Sequence, residues 1–139
     1  MSSKPLSADD QFYREYILDH YKNPRNFGRL EAADISHEEE NPLCGDVVGI
    51  DLKVEGGSIA DVRFHGRGCA ISQASASLLT ERLKGMSLED AKRIGKDDVL
   101  EELGIEISPA RIKCALLSLK VLKAGAYGLG DWPGEDEED

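Results

Sequence analysis

The spacing of apolar residues changes along this chain from a helical to a strand period and back, and the changes mark its elements. From about Asp9 to Tyr21, the residues Phe12, Tyr13, Tyr16, Ile17 and His20 recur at three- and four-residue intervals. That spacing predicts an amphipathic helix with those side chains on one face. Asn23-Pro24 should end it, because the residue before a proline disfavours helical backbone. Ile35 to Glu40 is a weaker strand signal. The period then becomes two: Val48, Ile50, Leu52 and Val54 alternate with Gly49, Asp51 and Lys53, the pattern of a half-buried strand. Gly56-Gly57 reads as a tight turn. Ile59, Val62 and Phe64 belong to the return strand, and their uneven phase suggests a bulge.

Helical spacing returns after Gly66-Arg67-Gly68. A helix from about Ala70 to Leu83 would present Ile71, Ala74, Leu78 and Leu79, and its many serines and alanines would let it pack closely on a sheet. Ser87 starts a short helix running to about Ile94, and Asp97 to Leu103 forms another closed by Gly104. Ser108-Pro109 opens a last helix through Ile112, Ala115, Leu116, Leu119 and Leu122, fading near Gly125. Strands first and helices afterwards predict an α+β fold, a small antiparallel β-sheet packed against several α-helices.

Composition adds limits. The 139 residues suit one domain, taken as 1–128, followed by an acidic tail at 129–139 that is expected to be disordered. The net charge is −10, and six acids lie in the last nine residues; removing those six leaves −4. No basic stripe suggests nucleic-acid binding, and no apolar run is long enough to span a membrane. Met1-Ser2-Ser3-Lys4-Pro5 lacks the apolar core of a signal peptide, so a cytoplasmic location with reduced thiols is expected.

The chemistry of the chain lies in its three cysteines, Cys44, Cys69 and Cys114, spaced 25 and 45 residues apart without a CxxC pair. By spacing alone they suit three separately buried small hydrophobes as well as one site. Their contexts say more. Cys44 precedes a strand and Gly45-Asp46, Cys69 opens a helix, and Cys114 lies in the early turns of another. The partial positive charge of a helix start favours thiolate, the soft metal ligand and nucleophile. Asp46 is two residues from Cys44, hence on the same side of a strand. Three thiolates and a carboxylate satisfy tetrahedral zinc or the terminal positions of a two-iron cluster. His20, His37 and His65 are weaker alternatives as ligands.

Three motifs in order, each around a cysteine, carry a family resemblance. Asn41-Pro42-Leu43-Cys44-Gly45-Asp46, Gly66-Arg67-Gly68-Cys69-Ala70-Ile71-Ser72-Gln73-Ala74-Ser75-Ala76-Ser77 and Arg111-Ile112-Lys113-Cys114 resemble the U-type iron–sulfur scaffold proteins. This group comprises IscU, SufU and the N-terminal domain of NifU. The opening Asp19-His20-Tyr21-Lys22-Asn23-Pro24-Arg25-Asn26-Phe27-Gly28 is similar as well, and the likeness runs from about Tyr13 to Ala126. The resemblance implies that Cys44, Asp46, Cys69 and Cys114 hold iron, a [2Fe-2S] cluster or zinc. It also implies sulfur from a cysteine desulfurase, iron from a donor, and delivery to apo iron–sulfur proteins. Cys44, Cys69 and Cys114 are then the persulfide acceptors, with Lys113 and Arg67 as cations that tune the thiolates.

Such a scaffold is not an enzyme in the ordinary sense. The alternative is a zinc-dependent sulfur acceptor, a sulfurtransferase partner of a SufS-type desulfurase. Lys113 and the second motif resemble the SufU branch, whereas the short connection between Cys69 and Cys114 resembles IscU. Ile107-Ser108-Pro109-Ala110-Arg111-Ile112-Lys113 departs from the Leu-Pro-Pro-Val-Lys segment by which IscU meets an Hsp70-type chaperone, which counts against that partner.

Overall fold

The computed structural model describes residues 8–41, 45–104 and 107–127. Cys44 and the acidic tail therefore lie outside the described residues. The chain runs α1 (Ala8–Lys22), β1 (Ile35–Asn41), β2 (Asp46–Glu55), β3 (Ser58–Arg67), α2 (Ala70–Leu83), α3 (Leu88–Lys92), α4 (Lys96–Leu103), α5 (Pro109–Ala115) and α6 (Leu117–Tyr127). The three strands form one antiparallel sheet in the order β1-β2-β3. The α+β architecture with a small antiparallel sheet is thus the observed fold.

The hairpin register explains the uneven phase of β3. Lys53 pairs with Asp61 but Val54 pairs with Ile59, so Ala60 is an extra residue in β3. This bulge lets Ile59 and Val62 both reach the core, each fully buried. Val48, Ile50 and Leu52 of β2 join them with Phe64, and the helical layer covers this face through Leu79, Leu83, Leu119, Val121 and Leu122. Truncating a buried aromatic such as Phe64 to alanine should cost about 3–5 kcal/mol.

The half-buried reading of β2 needs correction. Its other face is covered as well, and Asp51 is fully buried there. After α1 the chain joins the free edge of β3, where Phe64 N–H donates to Asn26 O and Gly28 N–H to Phe64 O. It then crosses beneath the sheet to β1. Asp51 fixes this crossing by accepting from Arg29 Nε at 2.9 Å, Leu30 N–H at 3.0 Å and Ser36 Oγ at 2.7 Å. Burial pushes the Asp51 carboxyl up, but these bonds and the Arg29 charge outweigh it and hold the carboxyl below its usual value.

α2 is the central helix, packed on α1, β3, α5 and α6, and its buried residues run unbroken from Ser72 to Thr80. Small side chains permit this burial, and their hydroxyls find partners. Ser77 Oγ is 2.7 Å from His20 Nδ1 and accepts from Arg25 N–H at 2.9 Å, which locks α1 and its following loop to α2. On α1, Ile17 and His20 are buried, whereas Phe12 is exposed against Tyr13 and Tyr16 of its own helix, so the predicted apolar face is narrower than its periodicity suggests.

The last helix is two helices, not one. Ser75 Oγ donates to the Ala115 carbonyl at 2.7 Å. That carbonyl would serve the residue four further on in a continuous helix. A side chain inserted into the ladder breaks it, and the break falls at Leu116, two residues after Cys114. α3 also ends at Lys92 rather than near Ile94.

Candidate functional site

Strand register and helix packing bring distant positions together at one end of the sheet. Asp46 begins β2, and Val47 pairs with Arg67 at the end of β3. The chain turns through Gly68 into Cys69, which occupies the N-cap position of α2. Gly68 has φ of 153°, and a Cβ there would lie 2.6 Å from Asp46 Cγ and 2.8 Å from Ser72 Oγ. Only glycine permits this approach.

α5 supplies Cys114 from the other side. Asp46, Cys69 and Cys114 each offer one ligand atom, and these atoms all lie within 4.8 Å of one another. Asp46 and Cys114 are buried, at 4% and 2% exposure, while Cys69 is half-buried. Cys69 and Cys114 are thiols and not a disulfide. The Cys69 N–H donates to Asp46 Oδ1 at 3.3 Å, so the carboxylate is aimed by the backbone of its neighbour in the cluster.

One expectation fails in this geometry. Cys114 is not at a helix start: α5 spans Pro109–Ala115, so Cys114 lies in its last turn. Of these two cysteines, only Cys69 stands at a helix start. Ser108 does precede Pro109 as the N-cap residue, yet its side chain makes no capping bond.

Cys44, the remaining member of the expected set, lies outside the described residues. Arg67 and Lys113 are both exposed beside their cysteines in sequence. The histidines lie elsewhere. His20 is buried against Ser77, and His37 Nε2 is 2.6 Å from Glu39 on the edge strand. His65 faces Gly49 across the sheet, with Nε2 3.7 Å from Glu38.

Sequence reasoning missed Ser72, which borders Cys69, and Gln73, which donates to Ser72. Ser72 is fully buried, and its Oγ is 4.0 Å from Cys69 Sγ. Their place in a run of small residues suggested packing only. The useful signal was the buried side of α2 starting immediately after a cysteine.

The donor set is chemically coherent for a soft or borderline metal, with two thiols and a carboxylate converging and no competing base among them. A fold of this kind, with a thiol–carboxylate cluster where a hairpin meets two helices, defines a class of small α+β proteins. The family model described as the NifU-like N terminal domain matches residues 12–134, and the chain belongs to that family.

Its relatives carry informative names. The zinc-dependent sulfurtransferase SufU of Bacillus subtilis is 40% identical over 133 residues, covering 84% of this chain and 90% of that protein. The iron–sulfur cluster assembly scaffold protein IscU of Escherichia coli K12 is 42% identical over 116 residues, covering 81% and 89%. Among solved structures, the N-terminal part of a nitrogen-fixing NifU-like protein from Brucella abortus superposes with a TM-score of 0.67. It shares 25% identity and covers 86% of this chain and 94% of the other.

Proposed function

We propose that this protein is an assembly scaffold for iron–sulfur clusters, with Cys44, Asp46, Cys69 and Cys114 as the ligands of the nascent cluster. The convergence of Asp46, Cys69 and Cys114 is the observation that carries the reading. Iron and sulfide are cargo here, with iron coming from a donor. A resident zinc ion fits the same donors and would hold the thiolates in place.

Sulfur arrives from a cysteine desulfurase. A cysteine thiolate attacks the outer sulfur of the desulfurase persulfide, forming a new S–S bond. The enzyme's own S–S bond breaks, and its cysteine leaves as thiolate. Two electrons per sulfide must then come from an external reductant. Cys69 suits the first attack because it is the half-buried, more accessible thiol of the pair, whereas Cys114 is buried. Arg67 and Lys113, both exposed, would meet the incoming anionic sulfur. The finished cluster, of the [2Fe-2S] type, passes to apo-proteins by ligand exchange. We place this work in the cytoplasm; no helix among the described residues is long and apolar enough to cross a membrane.

A second reading draws on the SufU relative, which is named a zinc-dependent sulfurtransferase. There zinc arranges the site and one cysteine only carries sulfur. A desulfurase assay without iron separates the two. The scaffold reading expects little multiple-turnover stimulation by the zinc form and a two-iron absorption spectrum once iron is added anaerobically. Strong stimulation by the zinc form, lost in Cys44→Ala, establishes the carrier instead.

A further inference from the structure

The hydrogen-bond inventory around Ser72 assigns a role beyond packing. A serine hydroxyl has one hydrogen to give and can accept twice. Here Gln73 Nε2 donates to Ser72 Oγ at 3.2 Å, and the Cys69 thiol lies 4.0 Å from the same oxygen, within reach to donate weakly to it. The hydroxyl hydrogen goes to the Cys69 carbonyl at 3.2 Å. That carbonyl also receives the Gln73 N–H at 3.1 Å, so it keeps a donor if the hydroxyl turns away.

The pattern holds only while Cys69 is a thiol. As a metal ligand Cys69 is a thiolate, which donates nothing and accepts strongly. The Ser72 hydroxyl can then swing from the carbonyl to the sulfur. Gln73 decides the direction: its amide N–H already points at Oγ, so the hydroxyl hydrogen must face the Cys69 side. Ser72 is fully buried and Gln73 is 6% exposed, so water does not compete for these bonds. Asp46 and Ser72 both close on Gly68, where a Cβ would lie 2.6 Å from Asp46 Cγ and 2.8 Å from Ser72 Oγ, so the hydroxyl sits in the same crowded corner as the cluster.

We propose that Ser72, oriented by Gln73, is a positioning residue of the metal centre, its hydroxyl serving as the hydrogen-bond donor to the Cys69 thiolate. The inference rests on the metal-centre reading above. Outer-shell partners of metal ligands typically govern affinity tenfold or more. A hydrogen bond also lowers the energy of the sulfur lone pair, so its loss should move sulfur-to-cobalt charge transfer to longer wavelength.

The test uses the full chain loaded with Co²⁺, together with Zn²⁺ competition against a chromophoric chelator. Ser72→Ala should bind Zn²⁺ about tenfold more weakly and red-shift the charge-transfer band. Ser72→Thr, which restores a hydroxyl, should recover the band. Gln73→Glu replaces the fixed donor by an acceptor that draws the hydroxyl to itself, and should shift the band as Ser72→Ala does. If Ser72→Ala does not fold, Gln73→Glu decides. A purely structural Ser72 would lower the melting temperature and leave the band in place, which overturns the proposal. Parent-like affinity and spectrum in both variants overturns it equally. A parent chain that takes up no Co²⁺ instead refutes the metal-centre reading itself.

Discussion

Asp46 is the unusual member of its cluster. It is buried, it is held by the Cys69 N–H, and it offers oxygen where its neighbours offer sulfur. Carboxylate is the harder donor and the weaker partner for iron or zinc in a thiolate-rich site. On the proposed function, Asp46 is where cargo leaves. Asp46→Ala should therefore retain a bound cluster longer and slow its transfer to an apo-ferredoxin. Transfer at the parent's rate would remove Asp46 from that role. The sequence offered Asp46 readily, since it stands two residues from a cysteine. Ser72 and Asp51 were hidden, because nothing local distinguishes a serine that borders a thiol from one that packs, or a buried carboxylate from an exposed one in a strand. Asp51 is recognisable only once Arg29, Leu30 and Ser36 have been folded around it.

Among the elements, α2 carries the most consequence. Its Ser72 borders Cys69, its middle breaks the last helix, and its later serine anchors α1. The break near Cys114 arises from Ser75, which donates to Ala115 O and lies 3.2 Å from Ser118 Oγ. Ser75→Ala leaves these groups without that partner in a dry interior, and should lower stability by about 1–3 kcal/mol in urea unfolding. A loss under a few tenths would show that the break forms without Ser75. Helix periodicity could not reveal this break. Leu116, Leu119 and Leu122 keep helical spacing across it, and the cause lies 40 residues upstream. By contrast, the β2–β3 hairpin was legible, because alternation, the Gly56-Gly57 turn and the bulge all depend on neighbouring residues.

The whole molecule joins its acid sensitivity to its packing. His20 is buried between α1 and α2, and burial, with help from the Arg25 charge, lowers its pKa from the ordinary 6.5. The unfolded chain then binds a proton that the folded chain resists. Stability from this group is complete above about pH 6.5 and is lost as pH falls from there through the folded value. Urea unfolding at pH 7.5 and 5.5 should show a larger loss in the parent than in His20→Gln. Equal losses would mean that His20 does not set this sensitivity. At this scale the sequence foretold an α+β molecule; the loop crossing beneath the sheet, which needs long-range contacts, escaped it. On the proposed function the metal sits in one centre built from three sulfurs and one oxygen, and X-ray absorption at the zinc edge of the zinc-loaded chain counts those atoms. Such a centre gives three sulfur neighbours at about 2.3 Å and one oxygen at about 2.0 Å. Two or fewer sulfurs, or the scattering signature of a histidine ring, would contradict it.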